Sequence, residues 1–193
     1  MAALPPFDAS VAPVTAVQLG RSWHVGCPVG PVQLRRLSVS YVGVDGRAHT
    51  GELVVNRTVT QEVTVVFRRL YAAHFPIRRM RPVSHYGGSD DRSAAADNTS
   101  AFNCRAAVAA GPVRWSAHAF GTAIDVNDVE NPYIDGPRVI PPAGAAFRDR
   151  SRVRPGMAVR GGILVRAFAS VGWLWGGRWT GTPDYQHFSK SGG

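Results

Sequence analysis

Two runs of alternating apolar residues, separated by a turn signal, constrain the fold of this chain more than any other feature of its sequence. From Arg36 the chain reads Leu37-Ser38-Val39-Ser40-Tyr41-Val42-Gly43-Val44, Asp45-Gly46 supplies hairpin turn chemistry, and Gly51-Glu52-Leu53-Val54-Val55 resumes the pattern. A period of two over both arms predicts a β-hairpin with one buried face. Thr58 and Gln61 then form a capping-box signature, and Val59, Val63, Val66 and Leu70 recur at helical spacing with Phe67 beside them. That pattern predicts an amphipathic helix ending before Pro76.

The remainder is read more coarsely. Residues 1–22, rich in Pro, Ala and Val, are expected to form an extended arm, and residues 23–193 a single domain. The polar, Gly-rich stretch His85–Ser100 is expected to be a loop feeding a short strand over Ala101–Val108, the sequence AFNCRAAV. Residues 131–162 are rich in Pro, Gly and Arg, GILVRAFASVGW from Gly162 reads as a second helix, and a turn-rich aromatic run closes on a short strand at the C-terminus. The expected class is α+β, an antiparallel sheet with flanking helices.

A 45% hydrophobic fraction in 193 residues suffices for a packed core and excludes a disordered or fibrous chain. No apolar run approaches membrane-spanning length, so no membrane span is expected. The N-terminus has no basic region followed by a continuous apolar segment, so no signal peptide is expected within it. The net charge of +9 comes from 22 basic residues, all arginine except Lys190, and it falls on both halves of the chain. An anionic partner fits that charge. No zinc-finger spacing, RNP-like strand or heptad-plus-basic region accompanies it, so a specific nucleic-acid partner is not expected.

The chemistry concentrates in two segments, Ser116-Ala117-His118-Ala119-Phe120-Gly121-Thr122-Ala123-Ile124-Asp125-Val126-Asn127 and Asp184-Tyr185-Gln186-His187-Phe188. They offer two imidazoles and two carboxylates, and three such ligands hold zinc with one tetrahedral position open. Gly121 permits a tight turn after His118, so that the next residues can run as a strand presenting Asp125 to the same point. Spacing alone leaves open whether these histidines are ligands or hydrogen-bonded core residues. Trp173, Trp175 and Trp179 suit either a peptide-pocket wall or the core. Tyr185 suits either the rim of a site or an inward strand position. His24, His49, His74 and His85 have no partner spacing.

The strings SAHAFGTAID and DYQHF together resemble the M15 metallopeptidase family, the D-alanyl-D-alanine carboxypeptidases and L-alanyl-D-glutamate endopeptidases of bacterial cell walls, with motifs SxHxxGxAxD and (D/E)xxH. DNTSAFNCR, NPY and GWLWGG are similar to the carboxypeptidase-like branch. The resemblance implies the fold shared by D-Ala-D-Ala peptidases and the hedgehog N-terminal domain. It implies one Zn2+ per chain held by His118, Asp125 and His187, with Asp184 as general base in place of the Glu found in many relatives. Arg105 matches the position that stabilises the developing oxyanion, with Arg92 and Arg114 as alternatives, and Ser116 matches a position near the substrate. Trp175 and Tyr185 are expected to contact substrate as well.

The implied activity is hydrolysis of a peptide bond in peptidoglycan stem peptides, with either the L-Ala to D-Glu bond or the terminal D-Ala to D-Ala bond as target. A non-catalytic zinc-containing module that binds cell wall is the alternative. The arginine excess would then hold anionic wall polymer, the protein would act as a monomer, and its place would be outside the cell or in the wall, with a cytoplasmic phage lysin as the other setting. Two cysteines, Cys27 and Cys104, in a wall-active protein suggest a disulfide.

Overall fold

The computed structural model describes residues 4–107 and 113–192. In chain order the elements are β1 (Ala9–Pro13), α1 (Ala16–Leu19), β2 (Leu34–Gly43), β3 (Ala48–Asn56), α2 (Thr60–Ala72), β4 (Pro76–Ile77), α3 (Asp90–Ala95), β5 (Ala123–Asp125), β6 (Tyr133–Asp135), β7 (Arg138–Ile140), α4 (Ile163–Ala169), β8 (Leu174–Trp175) and β9 (His187–Ser189), joined by short 3-10 turns. The class is α+β.

The expected hairpin is the β2–β3 pair, antiparallel from Leu34↔Asn56 to Val42↔Ala48. Val11 of β1 lies opposite Leu37 in an antiparallel pairing, so Ala9–Pro13 of the expected arm is the edge strand of this sheet, whereas its end is not extended but folds into α1 and a 3-10 turn over Gly20–Ser22. β4 pairs with β2 in parallel at Val42 and Gly43, which makes the sheet mixed rather than purely antiparallel. Strand alternation fixes what each face touches. Leu53 and Val55 point into the main core with α2, whereas Val54 points into a second cluster with Val14, Leu19, Val29, Leu34 and Phe102. Both faces are therefore covered, one by the helix and the other by the segment that leads into β2.

α2 buries Val63, Val66, Phe67, Leu70 and Tyr71, the stripe its spacing predicts. Burying each such side chain favours folding by about 1.5–3 kcal/mol before the cost of ordering the chain. The start differs from expectation. A 3-10 turn over Arg57–Val59 precedes α2, and the Asn56 side chain caps it by accepting from the Thr58 amide at 3.2 Å. Thr58 donates its own hydroxyl to Asn56 at 2.9 Å, so the Thr58–Gln61 capping box does not form.

α4 is the second helix expected from the sequence, and it packs on α2. Ile124 of β5 and Phe188 of β9 carry the core across to the smaller sheet, ordered β5-β9-β8. Glu62 of α2 ties down the C-terminal segment, accepting from Trp173 Nε1 and Lys190 Nζ at 2.7 Å each. The expected strand over Ala101–Val108 is absent among the described residues. Only isolated bridges occur there, Ser100 with Asp125 and Ala106 with Trp115, and Val108 lies outside the described residues. The expected loop before it contains α3, capped by Ser89 and carrying Asp90 and Asp91 in its first turn.

Cys27 and Cys104 form the suggested disulfide across 77 residues. In the chain-entropy account a closed loop of that length is worth about 4–5 kcal/mol. Among the described residues no helix is long and apolar enough to cross a membrane.

Candidate functional site

His118 sits in a 3-10 turn, Ala117–Phe120, that Ser116 caps through its Oγ, which accepts the His118 amide at 3.3 Å. Gly121 ends the turn at φ +68°, and a Cβ there would lie 2.7 Å from the backbone nitrogen of Asn56. That close approach lets Asn56 donate its amide to the Gly121 carbonyl at 2.8 Å and its side chain to the Phe120 carbonyl at 3.0 Å. The turn bearing His118 is thus fastened to the end of β3. Beyond it, β5 runs antiparallel to β9 with Asp125 directly opposite His187 and Ile124 opposite Phe188. Alternation sends the apolar pair into the core and the polar pair to the other face, beside His118.

The three side chains meet there. His118 Nε2 lies 3.1 Å from His187 Nδ1 and 3.1 Å from one Asp125 oxygen, and His187 Nδ1 lies 3.1 Å from the other. His118 Nδ1 donates to the Ala101 carbonyl at 2.6 Å, which leaves the lone pair of the neutral ring on Nε2, turned toward His187 and the Asp125 carboxylate. A cation resolves that convergence. Zinc bound at about 2.0–2.1 Å by N and O ligands has a tetrahedral edge of about 3.3 Å, close to the spacings found, and two imidazoles with one carboxylate form a zinc donor set. Two buried polar atoms beside the cluster, His187 Nε2 and Asp184 Oδ1, have no hydrogen-bond partner. The residues fit a metal.

Burial alone would raise the Asp125 carboxyl, but the His118 charge and hydrogen bonds from both imidazoles outweigh it and hold the group well below the usual carboxylate range. Burial would lower His118, yet the Asp125 carboxylate outweighs it and the pKa rises. Asp184 contrasts with Asp125. Burial pushes it up to about 7, against the opposing charges of His187 and Arg105. A carboxyl poised near neutrality can accept a proton and return it. Gly176 permits its placement, since a Cβ there would come 2.8 Å from the Asp184 carbonyl oxygen and 3.3 Å from the His187 Cβ.

These groups line a cleft of about 880 Å³, with Arg105, Arg114 and Ser116 on its wall and Arg92 off it. Asp90 accepts the Arg105 Nε–H, and Asn103 donates to the other Asp90 oxygen at 2.7 Å. Trp175 and Tyr185 do not line the cleft. Trp175 is 8% exposed, belongs to the main core and donates its indole N–H to the Tyr185 carbonyl at 2.9 Å, while the Tyr185 ring lies under the Arg150 guanidinium at 4.4 Å. The indole on the cleft wall is Trp179, 5.3 Å from the His187 ring.

Sequence reasoning missed two carboxylates, Asp90 and Asp128. Asp90 could have been suspected from Ser89-Asp90-Asp91-Arg92 as a helix start. Asp128, three residues past Asp125, lines the cleft while buried, with Oδ1 unpartnered. Burial first, then the charges of Asp125, Asp97, Asp184 and Asp90, raises its pKa well above the usual range. Asn127 and Asn131 brace the site from behind, each donating to the Gly156 carbonyl, at 3.2 and 2.9 Å.

Residues 110–190 match a family model described as D-alanyl-D-alanine carboxypeptidase, of the peptidase M15 type. No curated protein and no solved structure matches the chain.

Proposed function

We propose, from the match of residues 110–190 to the M15 peptidase family model, that the protein is a zinc-dependent hydrolase of peptide bonds in bacterial peptidoglycan stem peptides. The observation that carries this reading is the convergence of His118, Asp125 and His187 within 3.1 Å of one another, with the Asp184 carboxyl, its Oδ1 unpartnered, beside them.

Zinc held by these three residues would act as a Lewis acid on the scissile carbonyl and make water a stronger acid at neutral pH. Asp184 takes the proton of the attacking water and returns it to the amine as the C–N bond breaks. Arg105 spends its Nε–H on Asp90 and Nη1 on the Ala106 carbonyl, which leaves Nη2 for the oxyanion that develops on the carbonyl oxygen. Its charge acts on both His118 and Asp184, as a group on the same cleft requires.

The arginine excess would hold the protein on anionic wall polymer, and the disulfide supports a place outside the cytoplasm. Binding to purified sacculi should therefore weaken as salt screens the charges over about 8 Å at physiological ionic strength.

The test is mass spectrometry of a defined stem peptide incubated with the protein, with and without chelator. The expected result is one cleavage, at either the D-Ala to D-Ala or the L-Ala to D-Glu bond, lost with chelator and restored by zinc. Zinc should drop from about one per chain to near zero in both His118→Ala and His187→Ala. An intact peptide with zinc-loaded protein sinks the reading.

A further inference from the structure

A second group of ligand atoms lies beside the cleft, away from the first. His24, Cys27 and Cys104 place an imidazole nitrogen and two sulfurs within 4.8 Å of one another. His24 Nδ1 donates to the Val25 carbonyl at 2.8 Å, which in the neutral ring puts the lone pair on Nε2. That nitrogen lies 3.5 Å from Cys104 Sγ, with no hydrogen between them to share while the sulfur is in a disulfide. The ring is held as a ligand is held, through its other nitrogen.

The turn that carries the first cysteine has the same character. The Cys27 amide donates to the His24 carbonyl at 3.2 Å, Gly26 takes φ +98° to close the turn, and the His24 amide points at Cys27 Sγ at 3.2 Å. An N–H aimed at sulfur favours negative charge there, the form in which cysteine binds metal. With Zn–S near 2.3 Å and Zn–N near 2.0–2.1 Å, the tetrahedral N···S edge is about 3.5 Å, the separation found between His24 and Cys104.

We propose that, once the Cys27–Cys104 disulfide is reduced, His24, Cys27 and Cys104 form a second metal site for a thiophilic divalent cation such as zinc. A dithiol or phosphine reductant supplies two electrons to the S–S bond, and two protons complete the thiols. Metal binding then forms two S–metal bonds and releases both thiol protons. His24 and Cys27 are partly accessible, so reductant and ion can reach them. The site replaces one cross-link with another. In either state the turn from His24 to Cys27 stays fastened to Cys104, whose amide donates to the Ser22 carbonyl at 2.9 Å and which immediately precedes Arg105. The proposal is independent of the chemistry assigned to the cleft.

Cobalt(II) titrated into the full chain tests it, because thiolate ligands give a charge-transfer band that imidazole and carboxylate do not. The oxidised protein should show no such band. Protein reduced with a phosphine should show one that saturates at a single equivalent beyond the His118 site. His118→Ala should keep the band, which separates this test from that of the peptidase reading. Cys27→Ser should lose it. His24→Ala should weaken cobalt binding by more than the roughly 10- to 100-fold typical of losing an outer hydrogen-bond partner. Three outcomes overturn the proposal: a reduced protein without the band, an unchanged titration in His24→Ala, or the same affinity in concentrated urea.

Discussion

Asp90 holds Arg105 by its Nε–H while its other carboxylate oxygen accepts from Asn103. The guanidinium of a long, flexible side chain is thereby fixed at the cleft wall by a residue of α3 that itself faces the same cleft. Arg105→Ala is expected to lower kcat by about 10²–10³ with zinc retained, the loss typical of one oxyanion donor. Asp90→Ala is expected to lower it less, and the double variant to be no worse than Arg105→Ala, because Asp90 acts through Arg105. Additive losses in kcat would assign Asp90 a separate role.

Asp184→Asn keeps the volume of the side chain and removes its ability to accept a proton. The expected outcome is unchanged zinc content and far-UV dichroism with kcat lower by about 10²–10⁴. Turnover within tenfold of the parent would move the base to another group.

Glu130 gives the fold a pH dependence through its contact with Asp97. Burial first, and then the hydrogen bond and charge of Asp97, raise its pKa to about 7, with Arg78 opposing from its place beside Asp97. The folded state thus prefers the protonated acid. Its contribution to stability is complete below the unfolded value of about 4.3 and is lost as pH rises through 7. Glu130→Gln keeps a donor for Asp97 without the charge. In urea titrations it is expected to be more stable than the parent by about 1–2 kcal/mol at pH 8, discounted for partial exposure, and equal to it at pH 4. A difference that does not change with pH would contradict the assignment.

Gly46 and Gly121 both have positive φ, +72° and +68°, but a Cβ on Gly46 meets nothing within 4 Å while one on Gly121 meets the Asn56 backbone at 2.7 Å. Alanine at position 46 is expected to cost about 1 kcal/mol, the backbone strain alone. At position 121 the cost should exceed that by about 1–3 kcal/mol, and zinc affinity should fall with it. Equal losses in thermal midpoint would show that the turn moves freely.

The hairpin and α2 were legible because period-two and period-3.6 patterns follow directly from which face is buried. The convergence of His118, Asp125 and His187 was legible through two motifs whose spacing maps onto one turn and one cross-strand pair. The segment around Ala101–Arg105 was not, since isolated bridges and a disulfide hold it rather than a ladder. Trp175 and Trp179 could not be told apart by sequence, because only the turn at Gly176–Arg178 decides which indole faces the cleft. His24 was passed over for the same kind of reason. Its partner Cys104 is 80 residues away, and local spacing carries no record of that contact.

The family match begins at residue 110, yet His118 takes its ring orientation from Ala101 and its turn is pinned by Asn56. Arg105 and the Asp90 that aims it also come earlier in the chain. A fragment cut at the start of the match would inherit His118, Asp125 and His187 but neither the Ala101 carbonyl, the Asn56 clamp nor the Arg105–Asp90 pair. Drift in the first half of the sequence would therefore be felt at the cleft, and the unit that can be grafted, shuffled or copied as a working whole runs from the edge strand β1 through β9.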